Sequence, residues 1–127
     1  MTTLLVCLLI SMLLPYLAKG PVAVAMAKMG GYDNHHPRSQ QARLEGFGAR
    51  ALAGHQNAFE SLLIFGLAAL VVIATDKVNG TAEVAAVVHV IARVGYHLAY
   101  LYDQDKLRSG LWFVSMISCF TLFAQAF

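Results

Sequence analysis

The feature that most constrains this chain is the blocking of its apolar residues. Four long runs, each about 20 residues or more, occupy roughly residues 4–27, 46–74, 82–102 and 107–127. Short polar turns separate them. Hydrophobic residues make up 58% of the chain and charged residues 13%, too apolar for an ordinary soluble domain. Runs of this length match the hydrocarbon thickness of a bilayer when helical. The expected fold is all-α: one integral-membrane domain of 127 residues built as a four-transmembrane-helix bundle.

The first run, Leu4 to Leu14, is interrupted only by Ser11. No basic residue precedes it, and Lys19 follows it, the reverse of a secretory signal. It is read as a retained transmembrane helix, with kinks expected at Pro15 and Pro21. Residues 30–45 form a polar connection punctuated by Gly30, Gly31 and Pro37. A second turn spans residues 76–80 and ends in Asn79-Gly80. A third turn is Asp103-Gln104-Asp105-Lys106, and the last run leaves no tail for a soluble domain. Lys28, Arg38, Arg43 and Arg50 surround the first connection, Lys106 and Arg108 the third, and only Lys77 the second. The positive-inside rule therefore puts the first and third connections in the cytoplasm and both termini outside. No run of Lys or Arg resembles a nucleic-acid patch, so no nucleic-acid partner is expected. Cys7 and Cys119 sit in apolar blocks with no metal-ligand spacing, and each is read as a small packing residue.

Two polar stripes break the apolar pattern. On the second helix, Arg50, Ala53, Asn57 and Glu60 share one face, spaced three or four apart. A carboxyl at that depth must face protein or water, because exposing it to lipid costs a few kcal/mol or more. On the third helix, Arg93, Tyr96 and Tyr100 share a face, with His89 and His97 beside it. Glu60 lies ten residues after Arg50 and Arg93 ten before Asp103, so both sit about 15 Å from the same end of the bundle. They are expected to face each other, directly or across a subunit boundary, with Arg50, Arg108, Tyr96 and Tyr100 ringing the space toward the cytoplasm. Such a cleft suits a polar anionic ligand from the cytoplasm and an apolar co-substrate from the lipid.

These residues resemble those of the MAPEG family, the membrane-associated proteins in eicosanoid and glutathione metabolism. The resemblance covers essentially the whole chain. Its most specific part is His55-Gln56-Asn57-Ala58-Phe59-Glu60, which is similar to the family's Asn-x-x-Glu segment. Arg93 and Tyr100 match an Arg and a Tyr seven residues apart on the third helix, and Arg108-Ser109 resembles the Arg-Ser pair opening the fourth. The Tyr32-to-Pro37 loop is similar to the family's Asn/Asp-Pro loop. The resemblance implies a homotrimer in the lipid bilayer, with glutathione as co-substrate between subunits near the cytoplasmic side. It implies that Asn57 and Glu60 contact the tripeptide, Glu60 at its amino group, and that Tyr100 lies in the same site. Arg93 and Tyr96 are expected alongside them. It further implies that Arg108 is catalytic and stabilises the thiolate, the nucleophilic form of the thiol. The chain departs from the family at Ala53, where an Arg is usual, and at Gln56, where some members carry another. Arg50, one turn earlier on the same face, is the candidate replacement. The chain looks like a compact bacterial-type member, which places it in a bacterial inner membrane.

The leading functional expectation is a glutathione-dependent transferase or peroxidase-like protein acting on lipophilic electrophiles. The alternative is a non-catalytic bundle of the same fold, a scaffold or small-anion binder, in which Glu60 and Arg93 pair inside a closed interface. A channel or transporter is weaker, since no broken helix or inverted repeat is visible.

Overall fold

The computed structural model describes residues 1–127 and contains five helices: α1 (Thr2–Ala27), α2 (Pro37–Gln41), α3 (Gly46–Ala74), α4 (Gly80–Leu101) and α5 (Asp105–Ala124). The four long ones have mean hydropathies of 1.8, 2.1, 1.5 and 1.4 over their best windows, apolar and long enough to cross a membrane. α1 runs unbroken through Pro15 and Pro21. The expected all-helical four-span bundle is therefore the observed architecture. α4 packs most closely on α5 and α1 on α3, with α3 and α4 also in contact.

Small residues let these helices approach. Ala68 and Ala69 of α3 and Ala82, Ala85 and Ala86 of α4 form the buried centre of one half of the bundle, with Leu4, Phe65, Val72 and Leu122 filling around them. Lipid tails offer no hydrophobic drive between helices, so close packing of this kind must supply the adhesion. The large residues face outward instead: Leu9, Leu13, Leu67, Leu70, Ile91, Ile117 and Phe120 are all exposed. Gly54 is needed for close approach, since a Cβ there would meet His97 Nδ1 at 3.2 Å.

The turns after α3 and α4 are built alike. Asp76 and Asp103 adopt positive φ, 56° and 59°. Lys77 N–H donates to the Val72 carbonyl at 3.1 Å, and Gln104 N–H to the Ala99 carbonyl at 2.8 Å. Each is a Schellman closure with an Asp in the left-handed position, which short polar side chains tolerate. Asn79 then caps α4, its Oδ1 accepting from Ala82 N–H at 2.9 Å.

The first connection is more ordered than a plain polar loop. Pro37 opens α2. Gln40 is buried and donates through Nε2 to the Gly31 carbonyl at 2.7 Å, while its Oε1 accepts from Asp33 N–H at 2.9 Å. Asp33 Oδ1 in turn accepts from the backbone N–H groups of His35 and His36 at 2.9 and 3.0 Å. His35 and His36 are exposed, and the chain holds no group of His, Cys, Asp and Glu arranged for a metal ion.

Candidate functional site

The site is built on the seam of α3, α4 and α5. Asn57 and Glu60 stand one turn apart on α3, and Asn57 Nδ2 donates to Glu60 Oε2 at 2.8 Å. Asn57 Oδ1 accepts from Arg93 Nη2 at 2.6 Å, and the same nitrogen lies 3.3 Å from the Asn57 carbonyl oxygen. Arg93 is only 2% exposed. Its guanidinium carbon lies 4.1 Å over the Tyr96 ring centroid. Tyr96 meets Tyr100 edge to face, with centroids 5.6 Å apart. The guanidinium of Arg108, in the first turn of α5, covers the other side of the string, 4.5 Å from the Tyr100 centroid.

Six of the seven expected site residues thus form one continuous string, from Glu60 at mid-span to Arg108 at the basic end of the bundle. Helix periodicity explains the alignment. Residues 57 and 60 lie on one face of α3, and residues 93, 96 and 100 on one face of α4. Charge-assisted and cation–π contacts then satisfy a guanidinium that lipid could not hold alone.

Two details differ from expectation. Glu60 does not pair with Arg93 directly: Asn57 sits one turn nearer the basic end, takes the guanidinium, and presents its other amide atom to Glu60. Glu60 itself is exposed on the surface of the single chain. A carboxylate on a membrane-depth surface demands a protein or aqueous neighbour. The second difference concerns Arg50. Instead of ringing the same space as Arg108, it lines a crevice with residues of α1, and its Nε lies 3.9 Å from Asp103 Oδ1. The left-handed turn at Asp103 brings that carboxylate back beside the start of α3.

Above the string, Tyr96, Tyr100, Arg108, Ser109, Trp112 and Phe113 line an open cleft of about 240 Å³. Arg108 makes no ion pair there, so its donors remain available to a ligand.

A second polar cluster was only partly visible as His89 on the α4 stripe. His89 Nδ1 lies 3.1 Å from Ser115 Oγ, 3.3 Å from the Ser115 carbonyl oxygen and 3.2 Å from Cys119 Sγ. Its Nε2 lies 3.5 Å from Ser61 Oγ, and its ring stacks on Phe65 with centroids 4.2 Å apart. Cys119 is therefore a polar contact of His89 as well as a packing residue. The available signal was Ser115 and Cys119, one turn apart in the uncharged part of α5 after Arg108. His55, which points away from the stripe, donates through Nδ1 to the Pro15 carbonyl of α1 at 2.8 Å.

The family profile described as MAPEG family matches residues 3–127, nearly the full chain. Searches of curated proteins and of solved structures each give no match. The profile match agrees with the four apolar spans described above. The chain belongs to the MAPEG family.

Proposed function

We propose that the protein is a glutathione-dependent transferase or peroxidase-like enzyme of the membrane, acting on lipophilic electrophiles. Family membership supports a glutathione-related function of this general type. The single observation that carries the finer reading is the string from Glu60 to Arg108. It has an exposed carboxylate at one end and a guanidinium free of ion pairs at the other.

Glutathione has the complementary groups. Its amino group suits Glu60, its peptide and carboxylate oxygens suit Asn57, Arg93, Tyr96 and Tyr100, and its thiol falls to Arg108. A guanidinium in a low-dielectric cleft favours thiolate over thiol. The thiol proton leaves to water at the mouth. The sulfur then attacks an electrophilic carbon, the S–C bond forms, and the leaving group departs with its electron pair. The lipophilic partner arrives laterally from the bilayer. The exposure of Glu60 supports a homotrimer in which a neighbouring subunit covers the open flank. The basic residues around α2 and the start of α5 support a cytoplasmic position for the site, with both termini outside, and the resemblance to compact bacterial-type members supports a bacterial inner membrane. Of the residues expected to hold glutathione, Arg50 is the one this reading leaves out.

Calorimetry of reduced glutathione with the detergent-purified protein tests the proposal. Wild type is expected to bind at millimolar concentration or below, and Glu60→Ala to lose binding. Arg108→Ala is expected to keep binding while losing thiolate absorbance. No heat with wild type at millimolar glutathione would move the protein to a non-catalytic bundle.

A further inference from the structure

The crevice that holds Arg50 lies on the far side of Tyr100 from the Arg108 cleft. It has a volume of about 170 Å³ between α1, α3 and α4. Leu14 and Leu17 of α1 and Leu98 and Leu101 of α4 give it apolar walls. Leu17 and Leu98 are exposed, at 69% and 51%, so the crevice opens onto the apolar outer surface of the single chain. Its polar content is confined to Arg50, His97 and the edge of Tyr100. Arg50 Nε and His97 Nε2 are both buried atoms without a hydrogen-bond partner. The nearest carboxylate oxygen to Arg50 Nε, on Asp103, is 3.9 Å away, too far for a hydrogen bond.

Arg50 is the fifth residue of α3, so it sits about 6 Å in from the helix start, near headgroup depth. Lys19, Lys28, Arg38 and Arg43 belong to the same end of the bundle. Positive charge there concentrates anionic lipid, and a basic pocket between helices recognises its headgroup. The planar guanidinium fork suits a phosphate with two oxygens in one plane.

We infer that this crevice binds an anionic phospholipid, with its phosphate on Arg50 and an acyl chain between α1 and α4. The inference does not rest on the glutathione reading, because Tyr100 separates the crevice from the Arg108 cleft. It gives Arg50 a role that the thiol site leaves vacant.

The test is native mass spectrometry of the full chain taken from nanodiscs of equal phosphatidylglycerol and phosphatidylcholine. Wild type is expected to retain phosphatidylglycerol in preference. Arg50→Gln is expected to lower that preference about fivefold, the effect of one basic residue near a headgroup. Lys77→Gln, in the turn between α3 and α4 at the opposite end of the bundle, should leave it unchanged. Ala18→Leu adds bulk to the crevice wall and should reduce retention of both lipids while leaving the Arg50 charge in place. Equal retention of the two lipids by wild type would overturn the inference, as would an unchanged preference in Arg50→Gln or full retention in Ala18→Leu. Preferential retention of a free fatty acid would overturn it too. So would a change of oligomeric state in Arg50→Gln with lipid retention intact, because the occupant would then be a second copy of the chain.

Discussion

α4 carries two buried polar centres one turn apart, and they are finished differently. His89 is closed. Ser115, Cys119, Ser61 and the face of Phe65 surround its ring, and each comes from a helix of the same chain. Arg93 is open-ended. Its guanidinium is satisfied by Asn57 and Tyr96, but the string continues in both directions, to an exposed carboxylate and to a guanidinium without an ion pair. A polar group whose partners are all supplied locally ties helices together. A polar group that hands its charge on to an exposed neighbour is prepared for something outside the chain. Burial alone does not separate the two, since His89 is 1% and Arg93 2% exposed.

That contrast can be broken most forcefully at Arg108. Arg108→Ala should lower glutathione-dependent turnover by about 10²–10³-fold, the usual loss when one preorganised donor to a developing anion is removed. Its thermal midpoint should stay near wild type, since the side chain makes no ion pair and stacks on the Tyr100 ring. Equal losses in both measurements would make the open string as structural as the closed centre. The next effect is at His89. His89→Leu should cost about 1–3 kcal/mol of stability by leaving Ser115, Ser61 and Cys119 without their shared partner. Glutathione binding should survive under conditions where the variant is folded, as read by calorimetry beside thermal unfolding in detergent.

Ala53→Arg sharpens the comparison in the other direction. Ala53 lies one turn before Asn57 on the same face of α3, where one charge-assisted hydrogen bond to a carboxylate would raise glutathione affinity about tenfold. An unchanged dissociation constant would mean that the ligand does not extend to that turn. The smallest effect concerns the first connection. The backbone N–H groups of His36 and His35 hold the Asp33 carboxyl below the ordinary carboxylate value. A depressed value means that this tie is present above the unfolded carboxylate pKa and is lost only as pH falls through the folded one. Amide exchange at His35 and His36 should therefore stay slow down to acid pH in wild type and become fast at neutral pH in Asp33→Ala, which removes the acceptor.

Much of this was legible in the chain itself. The four spans follow from apolar run length, and periodicity alone puts Asn57 with Glu60 and Arg93 with Tyr96 and Tyr100. The route of the charge was not legible. Equal depth suggested that Glu60 meets Arg93, but which of two polar residues on adjacent turns receives a guanidinium depends on helix rotation, which spacing leaves free. Arg50 was harder still. It shares a face with Asn57, yet its long side chain lies with residues of α1, and the carboxylate beside it follows a left-handed turn at Asp103 that no apolar pattern encodes. His89 was visible as a polar residue, while its closure depends on α5, whose Ser115 and Cys119 read as ordinary small residues. The helix inside the first connection was missed because its core is Gln40, whose role is to collect backbone groups from residues 31 and 33.

The hydrogen bond from His55 to the Pro15 carbonyl has a consequence for assembly during synthesis. α1 and α3 leave the ribosome before α4 and α5 exist, and between lipid-embedded helices nothing apolar fixes how far one slides along the other. A single directional bond at 2.8 Å sets that position for the first hairpin. Asn57 stands two residues beyond His55, about 200° around the helix, so fixing one side of α3 orients the other. When α4 arrives, the surface that receives Arg93 is already turned toward it, and the costliest charge to insert meets a prepared acceptor.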